Sequence, residues 1–180
     1  ERRLQADLDP VVVSVASLFV SRWDKAVTEK APAELRNRLG IAVAQRTYRA
    51  YRTLRASDRW RRLEAAGARP QRLLWASTGT KDPAAPDTLY VTALAAPDTI
   101  NTMPEKTIRA FADHGRLQGS LTDDGGDCEA VLALFAKAGI DTDALALQLQ
   151  RDGAQAFVKS WTDLMQRIAD KARTIEHAAQ

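Results

Sequence analysis

Two stretches of the sequence combine hydroxyl side chains with a single cation. One is Ser17-Leu18-Phe19-Val20-Ser21-Arg22-Trp23-Asp24, and the other is Ala76-Ser77-Thr78-Gly79-Thr80-Lys81. Hydroxyls, loop amides and a guanidinium or ammonium together hold an anion, and phosphate is the usual guest. The alternative is that Arg22 pairs with Asp24 or Asp82 on the surface. Gly79-Thr80-Lys81 has the ending of a nucleotide P-loop, but no glycine stands at the upstream spacing such a loop needs. Asp123, Asp124 and Asp127 flank Gly125-Gly126 without the spacing of a calcium loop, so Asp127 reads as the cap of the next helix. His114 falls at a helix end, where a cation suits the dipole. His177 reads as solvated. Cys128, the single cysteine, sits in the first turn of a helix and reads as packed rather than reactive. The densest basic stretch holds Arg46, Arg49, Arg52, Arg55, Arg59, Arg61 and Arg62. RNA would be its functional partner, but Tyr48 and Tyr51 fall at apolar spacing rather than on the basic face. A solvated helical face is the plainer reading.

The elements that carry these stretches follow from patterning. Val11 to Ala16 and Gln71 to Ser77 are short, continuous apolar runs, the pattern of strands buried on both faces. Asp98 to Thr102 is a weaker third strand. Between the first two, apolar residues from Leu35 to Leu54 recur at three-to-four-residue spacing and predict a helix over 33–56. Ser57-Asp58 caps a further helix through Ala66, ended by Gly67. Asp87 caps a short helix over 88–95, and Pro104 opens one that runs to His114 and stops at Gly115. Beyond Gly115 the strand signals cease. Three helical segments follow, 127–138, 141–151 and 154–177, separated by Gly139 and Gly153. Strands alternating with helices imply a parallel sheet with right-handed crossovers. In such folds the working face lies at the C-terminal ends of the strands, where both hydroxyl–cation stretches fall.

Composition bounds the rest. The 180 residues suit one domain, or one domain and a small annex, and 45% hydrophobic with 27% charged residues excludes a disordered chain. The net charge of +3 does not by itself argue for nucleic acid. No apolar run reaches the ~18 residues of a membrane helix. One cysteine excludes an intrachain disulfide framework and a cysteine-based zinc site. Three parallel strands are too few to stand alone, and a (β/α)8 barrel takes ~250 residues. The chain therefore reads as the C-terminal portion of something larger, or as a very small doubly wound domain. Glu1 in place of methionine reads as a cut point.

The residues also carry a family resemblance. Val15 to Asp24 resembles the sixth-strand segment of transaldolases. Arg72-Leu73-Leu74-Trp75-Ala76-Ser77-Thr78-Gly79-Thr80-Lys81-Asp82-Pro83 resembles the seventh strand of the bacterial branch that also occurs fused to glucose-6-phosphate isomerase. Asp87-Thr88-Leu89-Tyr90-Val91 and Asp98-Thr99-Ile100-Asn101-Thr102-Met103-Pro104 are similar to the next helix and the eighth strand. The implied fold is α/β: the C-terminal part of a (β/α)8 TIM-type barrel with three parallel strands and extra C-terminal helices. Residues 1–115 would supply the three βα units, and 116–180 a helical extension whose last helix folds back across the barrel mouth.

The resemblance implies a cytoplasmic transferase of the pentose phosphate pathway that needs no cofactor or metal. A lysine would form a Schiff base with a ketose phosphate and pass a dihydroxyacetone unit to an aldose phosphate. The iminium serves as the electron sink. Fructose 6-phosphate, sedoheptulose 7-phosphate, erythrose 4-phosphate and glyceraldehyde 3-phosphate are the implied substrates, with no nucleic acid or membrane partner. The family's lysine and its acid–base partners match no position here and are expected upstream, in the missing N-terminal half. Lys25, Lys30, Lys81 and Lys106 do not occupy the lysine's place. The isolated chain is thus expected to be inactive. What carries over is the phosphate end: Ser17 and Arg22 from the sixth strand, and Ser77 from the seventh. Lys81 lies where other branches place an arginine. Phe19 matches a pocket aromatic, and Asn101 is placed at the pocket lining. The rival reading is a non-catalytic sugar-phosphate-binding or complementation module.

Overall fold

The computed structural model describes the backbone of residues 1–178 and the side chains of residues 1–175, so the His177 side chain lies outside the described residues. Two compact units emerge, one spanning Glu1–Ile140 and one beginning at Asp141. The first unit holds three strands, β1 (Val15–Phe19), β2 (Arg72–Ala76) and β3 (Thr99–Asn101), parallel and in the order β1-β2-β3. Val15 pairs with Arg72 and Phe19 with Ala76, while Leu73 pairs with Thr99 and Trp75 with Asn101.

The first strand differs from the expectation of 11–16, buried on both faces. Pairing starts at Val15, and Val11, Val12 and Val13 are exposed. Branched side chains give a residue its preference for extended backbone, but a ladder partner decides where a strand begins. Nor is β1 buried on both faces: Ala16 and Leu18 pack on the core, and Val15 and Ser17 are exposed.

Helices follow each strand. A short α1 (Arg2–Gln5) precedes β1, and α2 (Val20–Val27) leaves it directly. The helix expected over 33–56 is divided into a 3-10 turn, Ala33–Leu35, and α3 (Leu39–Ala56). Asn37 makes the division: it takes φ +61°, a conformation its short polar side chain tolerates, and its amide donates to Asp82 Oδ2 at 2.7 Å. Next, α4 (Asp58–Ala65) is capped as expected, with Ser57 Oγ accepting the Trp60 N–H. Then come α5 (Leu89–Ala93), α6 (Glu105–His114) and α7 (Cys128–Lys137). Asp87 does not cap α5; its carboxylate takes the His114 ring instead, at 2.9 Å. Asp127 precedes α7 without a side-chain cap bond.

The main buried cluster lies on one face of the sheet, with Ala76 buried on the other. Leu73 and Trp75 of β2 meet Tyr48 and Tyr51 of α3, Tyr90 of α5, Val20 and Leu94. Trp75 is 0% exposed and its indole N–H donates to the Leu94 carbonyl at 3.1 Å, so the ring is buried without an orphaned donor. Cys128, Val131, Leu132 and Phe135 form the buried stripe of α7, which packs on α3.

The second unit is one helix, α8 (Thr142–Ala178), begun by Asp141, whose Oδ1 accepts the Asp143 and Ala144 amides. Two helices broken at Gly153 were expected, yet α8 runs through it. A mid-helix glycine costs about 1 kcal/mol against alanine, but it keeps its N–H and removes no hydrogen bond. Among the described residues no helix is long and apolar enough to cross a membrane.

Candidate functional site

Parallel pairing of β1 with β2 sets the segments that follow them side by side. At the end of β2, Ser77 adopts φ +54°. Its carbonyl accepts the Ser21 N–H at 3.1 Å, and the two hydroxyl oxygens lie 2.8 Å apart. Ser21 is buried in the first turn of α2, so α2 is tied to the tip of the neighbouring strand.

Arg22 leaves the same turn. Its guanidinium lies over the Phe19 ring, 4.2 Å from the centroid, a distance at which the ring's quadrupole attracts a cation. Arg22 has no acidic partner among the described residues. The two acids it was weighed against are otherwise engaged. Asp82 accepts from Asn37 and from the Ala84 amide. Asp24 is 5% exposed and accepts the Leu39 N–H at 2.9 Å, the Gly40 N–H at 3.1 Å and the Tyr90 hydroxyl at 2.8 Å. Burial pushes the Asp24 carboxyl up, against the pull of those three donors. Burial, together with the adjoining Asp24, also pushes the Tyr90 phenol up.

The remaining candidates fall in different places. Ser17 is exposed on β1, level with Leu74, on the same strand face as Phe19. Lys81 is exposed and lines a cleft of about 690 Å³ with Ser21, Asp24, Lys25, Lys30, Arg36 and Tyr90. None of Ser17, Phe19, Arg22 and Ser77 lines that cleft. Asn101 stands apart: it pairs with Trp75 and so shares the helix-covered face, opposite Ser17, with its Oδ1 buried and lacking a hydrogen-bond partner. The structure thus joins Ser77 to Ser21 and Arg22 to Phe19, leaves Ser17 on Phe19's face, sets Lys81 along a cleft with Ser21, and places Asn101 on the opposite face.

From sequence, Asp24 stood out only as a candidate surface partner of Arg22, and Ser21 and Tyr90 only as members of longer stretches. Gly40 was the readable signal for Asp24, since a glycine inside a helical pattern marks a close approach. A Cβ there would meet Asp24 Oδ2 and the Val20 carbonyl, each at 2.6 Å.

The other chemical candidates take ordinary roles. Arg46 and Arg49 both bind Glu129 of α7, Arg52 binds Asp98 and Asp123, and Arg55 binds Glu64 and the Tyr51 hydroxyl. Much of the basic stretch is therefore neutralised by acids of this chain. Cys128 is 0% exposed, and burial pushes its thiol up, away from the reactive thiolate. His114 sits between Asp87 and Asp113, which hold its imidazole up, Asp87 more strongly. Among the described residues no three His, Cys, Asp or Glu side chains group so as to hold a metal ion.

A family model described as Transaldolase/Fructose-6-phosphate aldolase matches residues 3–168. The chain belongs to that family. Its similar curated relatives include proteins named transaldolase from Parafrankia sp. (strain EAN1pec), 48% identical over 89% of this chain and 46% of the relative. Another, from Acidothermus cellulolyticus, is 45% identical over 99% of the chain and 49% of the relative. The transaldolase of Mycobacterium bovis (strain BCG / Pasteur 1173P2) is 48% identical over 85% and 43%. The chain spans about half the length of the curated relatives it matches. An α/β unit with parallel strands, each followed by helix, is consistent with a family of barrel enzymes.

Proposed function

We propose that this chain is the phosphate-holding, C-terminal part of a transaldolase. The complete enzyme would be cytoplasmic and would move a dihydroxyacetone unit between sugar phosphates of the pentose phosphate pathway. Residues 1–115 would be strands six to eight of a (β/α)8 barrel, with 116–180 as its helical extension. One observation carries the reading: an arginine without an acidic partner, stacked on Phe19, leaves the same helical turn as a hydroxyl that is bonded to the tip of the adjacent parallel strand. A fixed guanidinium beside hydroxyls suits the planar, multidentate demands of a phosphoryl group.

The chemistry then divides between two lengths of polypeptide. The lysine that forms the iminium, and the carboxylates that move protons to and from it, would belong to the N-terminal half. Ser17, Phe19, Arg22 and Ser77 would hold the far end of the substrate, and Lys81 would add positive charge at the rim. Gripping a remote phosphate orients the carbons that react and puts binding energy to use in the transition state.

The test is borohydride trapping with fructose 6-phosphate, using the chain alone and the chain joined by the N-terminal half of the Parafrankia relative. The expected adduct forms only in the second case, on the added half. An adduct on this chain alone would overturn the assignment. In the reconstituted enzyme Arg22→Ala should raise the donor KM tenfold or more, about 1.4 kcal/mol. Unchanged KM and kcat would dismiss the role of Arg22.

The second reading, a complementation or sugar-phosphate-binding module without catalysis of its own, draws on β1. That strand pairs on one side only among the described residues, and Val11 to Val13 beside it are exposed. Unpaired edges favour joining another chain. Size-exclusion chromatography with and without the N-terminal half separates the readings: a stable complex that turns over fructose 6-phosphate supports a split transaldolase, and a monodisperse chain that binds sugar phosphate without turnover on mixing supports the binding module.

A further inference from the structure

We propose that Asp24 is a positioning residue for the phosphate grip: it locks α2 so that Arg22 stays over Phe19. The inference rests on the reading of Arg22 as the phosphate cation. Asp24 and Ser21 are three residues apart on α2 and therefore share a face. Ser21 anchors that face to Ser77 of the β2 tip. Asp24 anchors it to two further elements, taking the first two amides of α3 and the Tyr90 hydroxyl of α5. Arg22 departs from a different face of the same turn, toward Phe19. With α2 held at both points, its rotation is fixed, and so is the direction in which the guanidinium is delivered.

Two facts argue that Asp24 does more than fill the core. The carboxylate is buried with no ion-pair partner among the described residues, an arrangement that costs stability unless donors surround it. And α3 gives up a side chain at Gly40 to admit it: an added Cβ would lie 2.6 Å from Asp24 Oδ2. A neutral apolar contact between α2 and α3 would hold the helices together without either cost. What the carboxylate adds is direction, because its two oxygens fix three donors at once.

The test is steady-state kinetics of the active enzyme containing this chain, with fructose 6-phosphate and with unphosphorylated fructose as donors. Asp24→Asn should raise KM for the phosphorylated donor about tenfold with kcat nearly unchanged, and should lower kcat/KM for fructose far less. Tyr90→Phe, which keeps both amide bonds, should shift KM the same way by about threefold. The double variant Arg22→Ala with Asp24→Asn should lose no more than Arg22→Ala alone, because the two act in series. Equal losses on both donors, or additive losses in the double variant, would overturn the proposal. So would a wild-type KM in Tyr90→Phe, which decides the matter even if Asp24→Asn fails to fold. Should Arg22→Ala itself leave KM unmoved, the phosphate reading falls first and this inference with it.

Discussion

The two faces of the three-stranded sheet carry different kinds of residue. On one face Trp75 and Leu73 are enclosed by Tyr48, Tyr51, Tyr90 and Leu94, and Trp75 is 0% exposed. On the other, Val15 is 41% exposed, and Ser17 and Phe19 stand with it. The closed face is where burial stabilises the fold. The open face, with the strand tips above it, carries side chains whose polar or aromatic groups remain available to something else. In the proposed reading, recognition falls to the side of the strands opposite the core.

That contrast is sharpest for Trp75→Ala. Removing a fully buried indole that also donates to Leu94 should cost about 3–5 kcal/mol, read as a loss in denaturant midpoint. Ser17→Ala, on a paired strand but the open face, should stay within about 0.5 kcal/mol. Comparable losses from both would break the distinction. Gly40→Ala comes next, because the added methyl would strike a carboxylate oxygen and a backbone carbonyl. Overpacking of this kind should cost about 1–3 kcal/mol, and a melting temperature equal to wild type would show that α2 and α3 are not so closely set.

A smaller effect, dependent on pH, is expected where α7 meets α3. Arg46 and Arg49 hold the Glu129 carboxyl well below its usual range, at about 2. A carboxyl depressed in the folded state lends stability that is whole above its ordinary value near 4.5 and fades as pH falls toward 2. Glu129→Gln should therefore melt earlier than wild type at pH 7, and the gap should close by about pH 2. A gap that persists there would mean the glutamate acts through packing rather than charge.

Much of the fold was legible. Apolar runs at Gln71–Ala76 and the helical spacing from Leu39 to Leu54 mark elements whose local preference agrees with their burial. The boundaries that shifted did so for reasons beyond local sequence. The strand at Val15 starts where Arg72 lies opposite, not where branched residues begin. The helix expected from Ala33 gives way at Asn37 because Asp82, 45 residues on, draws its amide. Of the proposed site, the cation and hydroxyls near each strand tip were readable as residue types able to hold an anion, and the structure brings the Ser21 and Ser77 hydroxyls together. Hidden from sequence was the way they are held. Nothing in Ser21-Arg22-Trp23-Asp24 announces that one residue bonds Ser77 while another caps a helix that starts at Leu39. The place of Asn101, set by its register with Trp75, was equally invisible, since a one-residue step decides which side of a sheet a side chain occupies.

The positive φ of Ser77 has an evolutionary corollary. At +54° a residue with a Cβ is disfavoured by roughly 1–2 kcal/mol, and glycine would rest there at ease. A serine in that conformation trades sturdiness for a hydroxyl. Ser77→Gly should accordingly raise the melting temperature while removing only the hydroxyl contact with Ser21 and leaving the carbonyl-to-amide bond in place, so that, if the proposed phosphate grip holds, durability and anion affinity are set against each other at a single backbone angle.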